Sequence, residues 1–348
     1  MAAVPQVQTG QGAATALPLV VVLNAGSGAT EARERLARVR AALAQAGRPH
    51  DLMAVEDPAH LREAADEAVR RARALGGAVV AAGGDGTLNA VAQAVLPSGL
   101  PFGVLPQGTF NYFGRSHGLS TDIDQALQGL LRAQPREVPV GRINDRLFLV
   151  NASVGLYPQL LEDREAFKAR FGRRRWVALG AALLSVLGEH RQCEIDVELA
   201  EARRALRTTT LFVGVNPMQL ERLGITQAAA ARDGRLVCVL VKPVGTRAML
   251  GLLLRGALGQ LGEAMAVDSF AFDRLTVVPW RGWPRRRSAR AVKVAIDGEV
   301  TRLTPPLVFA RAEQPLRLLV PPEVVAAGED GHPSARAVCA DAPDASDA

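Results

Sequence analysis

In VVAAGGDGTLNAVAQAV, Val79 to Val95, an apolar run stops at Ala82, and Gly83, Gly84 and Gly86 surround a single acid, Asp85. Glycine has no Cβ, so it admits positive φ and lets a ligand approach the backbone closely. Leu88, Val91, Ala92 and Val95 then mark one face of a helix. The first N–H groups of that helix would face outward as an anion site suited to phosphate. A carboxylate there repels phosphate unless a cation or a reacting hydroxyl proton stands between them. Glycines, helix start and acid together point to a nucleotide phosphate, Mg2+ and a hydroxyl nucleophile in one place. Taken singly, the motif reads more readily as a tight turn with a capping aspartate.

Two further loops change that balance. LPQGTFNYFGRSHGL, Leu105 to Leu119, follows the strand FGVL and supplies a Gly-Thr turn, and NAGSG, Asn24 to Gly28, follows LVVVL. Loops after neighbouring parallel strands meet at the carboxyl edge of an open sheet, where such folds bind ligands. No Walker-type G-x-x-x-x-G-K-[ST] loop occurs, so glycine loops must do the phosphate work without its lysine.

The elements that would position these loops follow from periodicity. Strands at 19–23, about 51–55, 77–82 and 102–105 alternate with helical patterns at about 31–46, 58–75 and after Gly86. Alternating β and α with continuously apolar strands predicts a parallel sheet covered on both faces, a three-layer α/β domain over residues 18–138. After about Pro135 the pattern changes to short strands between turns (REVPVGRINDRLFLVNASVGL, CEIDVEL, RALRTTTLFVGVN, GRLVCVLVKPV, SFAFDRLTVVPW, AVKVAIDGEV, PLRLLVP), interrupted by helical stretches at about 162–187 and 247–261, with the domain boundary near Pro139. That predicts an antiparallel β-sandwich over 139–322. The ends, 1–17 and 323–348, lack a period and read as flexible tails.

Composition bounds the rest. With 48% hydrophobic and 22% charged residues the chain reads as globular. Cys193, Cys238 and Cys339 show no metal spacing and the N-terminus no secretory pattern, which fits a cytoplasmic, reducing setting. The longest apolar run, Trp176 to Gly188, is shorter than a bilayer span. The net charge of +6 is carried by arginines, clustered at Arg170, Arg173, Arg174 and Arg175 and between Arg281 and Arg290. Such clusters suit anionic head groups or simply a solvated face, and no DNA-binding pattern accompanies them. DREAFKARFGRRRWVALGAALLSVLGEH joins a basic helix to an apolar one, fit either for a membrane interface or for core packing. The five histidines show no ligand spacing.

The set NAGSG (Asn24 to Gly28), GGDGTLN (Gly83 to Asn89) and GTFN (Gly108 to Asn111) resembles the catalytic domain of the diacylglycerol and sphingosine kinase superfamily, in its bacterial lipid kinase branch. The likeness runs in order from about Leu19 to Pro321, through NASVG (Asn151 to Gly155), ARDGRL (Ala231 to Leu236) and DGE (Asp297 to Glu299). The resemblance implies an N-terminal α/β domain, a C-terminal β-sandwich and an active site in the cleft between them. It implies that Asn24, Gly28, Gly83, Gly84, Asp85, Gly86, Thr87, Leu88, Asn89, Gly108, Thr109 and Asn111 hold ATP. Asp85 would organise Mg2+ and the phosphates, and Glu299 would take the proton of a lipid hydroxyl, the base role being open between these two acids. Asp233, with backbone carbonyls of Ala230 and Arg235, would match a further magnesium position. The implied reaction is phosphorylation of diacylglycerol to phosphatidic acid, with a sphingoid base or ceramide as alternative acceptor. An NAD kinase and a catalytically weak lipid- or nucleotide-binding regulator are the competing readings. The implied partner is a membrane surface met through Arg173, Arg174 and Arg175, and an exposed strand edge would let two copies pair. The chain departs from the family pattern at Tyr112, where an acid often follows the asparagine, at NAGSG, where proline commonly follows the asparagine, and near Ala54 or Val55, where a threonine is usual.

Overall fold

A computed structural model describes residues 17–26, 29–108, 110–156, 158, 161, 193–199, 202–281, 286–287, 290–322 and 324. The expected helix at about 162–187, the apolar run from Trp176, all but residues 17 and 324 of the two tails, and Gly28, Thr109, Arg173, Arg174 and Arg175 lie outside them.

In chain order the first region runs β1 (Leu19–Asn24), α1 (Ala29–Gln45), β2 (His50–Val55), α2 (Leu61–Leu75), β3 (Ala78–Gly83), α3 (Asp85–Val95), β4 (Phe102–Pro106), α4 (Tyr112–Ser116), α5 (Ile123–Arg132) and β5 (Gln134–Val138). There follow β6 (Gly141–Ile143), β7 (Arg146–Phe148), β8 (Asn151–Gly155), β9 (Cys193–Leu199), β10 (Ala202–Thr208), β11 (Thr210–Gly214), β12 (Leu236–Val241), β13 (Val267–Phe272), β14 (Arg274–Arg281), β15 (Arg286–Arg287), β16 (Val292–Ile296), β17 (Glu299–Leu303), β18 (Leu307–Arg311) and β19 (Leu316–Val320). Helices Pro217–Arg222, Ala228–Arg232 and Thr246–Ala257 interrupt the later strands.

The first sheet has the order β2-β1-β3-β4-β19-β5. The pairs among β1 to β4 are parallel, with Leu19 facing both His50 and Ala78 across the ladder. A strand buried on both faces must be apolar at every position, because its side chains alternate between two cores. Val20, Val22, Val79 and Ala81 pack beneath α2 and α3, while Leu19, Val21, Leu23, Val80 and Ala82 pack beneath α1 and α5. The expected three-layer α/β unit is thus observed. One strand assigned by sequence to the sandwich, β19, instead joins this first sheet, parallel to β4 and antiparallel to β5. Its Leu318 and Leu319 complete opposite cores, while Arg317 stays exposed.

The sandwich consists of two sheets, β10-β9-β14-β18-β6-β7 with β15 beside β14, and β13-β12-β11-β8-β16-β17. Phe148, Val154, Val213, Cys238, Leu275 and Phe309 fill the space between them. The outer face of the second sheet, through Val237 and Val239, is covered by the three later helices. Two stretches that look continuous in sequence change sheets midway: RALRTTTLFVGVN at Thr209 and SFAFDRLTVVPW at Asp273. Cys238 is buried in the sandwich, and desolvation pushes its thiol well up from the ordinary value, as expected of an inert core thiol.

Candidate active site

At the carboxyl edge of the parallel sheet β1, β3 and β4 end side by side. The chain leaves β1 toward β2 on one side and β3 toward β4 on the other, which creates the crevice where open α/β sheets take ligands. Asn24, ending β1, donates from Nδ2 to Thr87 Oγ1 at 2.9 Å and accepts the Gly26 N–H at 3.0 Å. It therefore braces the first loop to the second. Thr87 is buried, and a Cβ on Gly83 would stand 2.6 Å from the Thr87 Cβ, so the glycine is required by this fold-back. Gly84 caps α3, and a Cβ on Gly108 would stand 2.8 Å from the Gly84 Cα. The second and third loops thus touch backbone to backbone, as the glycine pattern requires.

The third loop is held by Asn111, which sits at φ 49°. Its Oδ1 accepts the Gly108 N–H at 2.8 Å and its Nδ2 donates to the Gly108 carbonyl at 2.7 Å. α4 begins at the next residue. Its N–H groups at Tyr112 and Phe113 donate to Asp85 at 3.3 and 3.4 Å. These bonds are long, and burial raises the Asp85 carboxyl pKa above its ordinary value against the opposing pull of the Phe113, Tyr112 and Asn111 N–H groups. Such a carboxylate gains from a cation or a shared proton. The side chain at 112 is an aromatic ring, stacked on the half-exposed Phe110 at 5.7 Å and topped by the Arg222 guanidinium at 5.9 Å.

Glu299 reaches the same place from the sandwich. It is exposed and opens β17, and a Cβ on Gly86 would stand 2.9 Å from its Oε1. Glu299 therefore stands over Gly86, the residue that follows Asp85. Glu299 follows the hairpin turn Asp297–Gly298, both at positive φ (47° and 91°), the conformation a two-residue primed turn demands. The Asp297 carboxylate turns inward and accepts from Asn89 Nδ2 and the Leu149 N–H, each at 2.7 Å, the Val150 N–H at 2.8 Å and the Asn151 N–H at 2.9 Å. Burial pushes this carboxyl up to about 6, against those four donors.

Not every residue of the expected ATP set faces the crevice. Leu88 is fully buried in the core beneath the first sheet, and its N–H is taken by the Gly84 carbonyl at 3.0 Å. Asn89 points across to Asp297 and to the Leu147 carbonyl, 3.0 Å away. Asp233 lies exposed after helix Ala228–Arg232, and the Ala230 carbonyl accepts the Arg235 N–H at 3.0 Å. That turn offers one carboxylate, and the described residues contain no group of three or more histidines, cysteines or acids placed to hold a metal. Sequence reading missed Asn216, a buried residue of the second region that donates to the Tyr112 carbonyl at 3.2 Å and to Ser116 Oγ at 2.9 Å. Its one sequence signal was the dipeptide Asn216-Pro217, a helix cap followed by proline.

Residues 18–143 match the family model of the diacylglycerol kinase catalytic domain. A protein named "Probable lipid kinase YegS-like" from Pseudomonas syringae pv. tomato is 29% identical over 227 residues, 64% of this chain and 68% of that protein. A diacylglycerol kinase from Staphylococcus saprophyticus is 32% identical over 142 residues, 40% of this chain and 46% of that protein. Alignments to such relatives span from 21% to 68% of the relatives' own length. A crystal structure of a diacylglycerol kinase from Bacillus anthracis superposes with a TM-score of 0.62 at 16% identity, over 89% of this chain and 98% of that one, a likeness of fold.

Proposed function

We propose that this chain, whose residues 18–143 match the family model of the diacylglycerol kinase catalytic domain, transfers the γ-phosphoryl group of ATP to the hydroxyl of a lipid, with diacylglycerol as acceptor and phosphatidic acid as product. The observation that carries the reading is that Glu299 stands over Gly86, the residue next to Asp85, on a loop whose glycines leave its backbone open to phosphate.

An alcohol is a poor nucleophile at neutral pH, so a carboxylate within hydrogen-bond reach assists its attack. Glu299 is exposed and free of any hydrogen bond that would hold it away from an incoming hydroxyl among the described residues. It takes the hydroxyl proton as the oxygen–phosphorus bond forms, and the leaving ADP keeps the electron pair of the bond that breaks. The backbone N–H groups at the start of α3 hold the phosphates. A bound Mg2+ would neutralise charge on the phosphate oxygens, and Asp85 fits it, being a desolvated carboxylate with only long hydrogen bonds. Catalysis by this chain is then positioning and electrostatics. The lipid is met at a membrane surface by a protein otherwise in the cytoplasm, with Arg173, Arg174 and Arg175 as the basic contact. No helix among the described residues is long and apolar enough to cross a membrane.

The test is transfer of label from γ-labelled ATP with Mg2+ into extractable lipid, with diacylglycerol, sphingosine and ceramide in separate mixed micelles and Asp85→Asn as control. Label in one lipid that vanishes in the control supports the reading and names the acceptor. ATP binding without label in any lipid refutes it.

A further inference from the structure

Asp297 takes no part in that chemistry, yet its carboxylate is committed to four donors. An Asp-Gly hairpin turn needs only the positive φ of its two residues and leaves the aspartate side chain free for solvent. Here it is turned inward instead. Three consecutive N–H groups, Leu149 to Asn151, converge on it, and its own N–H returns a bond to the Asn151 carbonyl at 2.9 Å. The fourth donor comes from the other region. Asn89 lies on α3 one turn after Gly86, and residues three apart share a helix face. Asp297 lies two residues before Glu299. The Asn89–Asp297 bond therefore runs beside the contact between Gly86 and Glu299, about one helical turn along the same face.

The same helix is fastened to the same segment once more. One turn beyond Asn89, Gln93 accepts the Leu147 N–H at 2.7 Å and donates to the Asp145 carbonyl at 3.3 Å. Because α3 starts at Asp85, the helix that carries the phosphate loop and the hairpin that carries Glu299 share one polar anchor. Their only described side-chain bond between helix and hairpin is 2.7 Å long and charge-assisted, a class stronger than neutral hydrogen bonds.

We infer that Asp297 and Asn89 are a positioning pair that sets the Glu299 carboxylate over the phosphate loop. The pair touches neither nucleotide nor acceptor and acts through Glu299. This rests on the kinase reading for the role of Glu299. It also reassigns Asn89, which the GGDGTLN motif alone would count among the ATP contacts.

The experiment is a double-mutant cycle on the full chain. Asn89→Ala keeps the three backbone donors on Asp297 and should fold. It is expected to lower kcat about 10- to 100-fold, the scale of an ångström of misplacement, with directly measured ATP affinity within about twofold of wild type. In a Glu299→Gln background, assayed by long incubation with labelled ATP, Asn89→Ala should cost nothing further, since residues acting as a unit are not additive. Asp297→Asn, which turns an amide donor toward Asn89 and Leu149, should lower the melting temperature more and show the same dependence on background. Equal losses in both backgrounds would make the pair merely structural and overturn the inference. So would unchanged kcat, or an ATP affinity that falls as far as kcat. A wild-type chain that binds ATP but labels no lipid overturns the kinase reading itself and this inference with it, an outcome visible before any variant is made.

Discussion

Replacing Gly108 with alanine tests the meeting of the second and third loops. The new Cβ would lie 2.8 Å from the Gly84 Cα and 2.9 Å from Asn111 Oδ1. Carbon atoms rest at about 3.5 Å or more, so the shortfall is about 0.7 Å and must be taken up by backbone, since Gly84 is itself the cap of α3. The oxygen cannot yield freely either, because Asn111 grips Gly108 through both its amide atoms. Overpacking of this kind costs about 1–3 kcal/mol. Displacing the phosphate loop by a sizeable part of an ångström should cost one to two orders of magnitude in kcat/KM. The assay pairs urea unfolding with lipid phosphorylation and ATP affinity. Gly251→Ala is the matched control: a Cβ there meets nothing within 4 Å, and the residue lies inside helix Thr246–Ala257. That change should raise stability by up to about 1 kcal/mol and leave kcat/KM alone. A Gly108→Ala chain that binds ATP and turns over like wild type would refute the packing of the two loops.

Two further outcomes are expected. Asp297 is pushed up to about 6, so below that pH it gains a proton, and one acceptor oxygen becomes a donor among four donors. Activity should be present above about pH 6 and fall as pH is lowered through it, more steeply because the Asp85 pKa is also raised; kcat at saturating ATP, unchanged down to pH 5, would contradict this. Changing Arg173, Arg174 and Arg175 together to glutamate should weaken binding to anionic vesicles by two orders of magnitude or more, at about 1 kcal/mol per basic residue near the surface, and leave ATP affinity alone. Vesicle flotation unchanged in that variant removes these arginines from the membrane contact.

The inner strands β1, β3 and β4 could be read from composition because burial on both faces leaves almost no polar position. Their ends were legible for the same reason, since the glycines mark where the chain stops needing side chains. The destination of β19 was not. LRLLV alternates Leu316, Leu318 and Val320 with the exposed Arg317, as a sandwich strand would, and only the place between β4 and β5 decides where it goes. Likewise RALRTTTLFVGVN carries no break that would announce two strands in different sheets, because the crossing at Thr209 is fixed by its bond to the Val241 carbonyl, 32 residues later in the chain. Within the site, a motif read as a string gives every member to the ligand. A helix cannot honour that, since each residue turns about 100° from the last. Once Asp85 and Gly86 face the crevice, Leu88 falls into the core and Asn89 swings toward the sandwich.

That rotation explains why the two acids depend on both regions. Asp85 belongs to the first region, but its donors belong to α4, and α4 is tied down by Asn216 from the second region. Glu299 belongs to the second region, but its hairpin is tied by Asp297 to Asn89 of the first. Each acid is thus held by an amide supplied from the far side of the cleft. A lone phosphate loop on the first region would present Asp85 on an α4 lacking this tether, and a lone sandwich would present Glu299 on a turn one donor short. The reciprocal anchoring makes the assembled cleft, rather than either motif, the unit that can do the chemistry, and polar groups left without these partners would carry the cost of unpaired buried donors and acceptors.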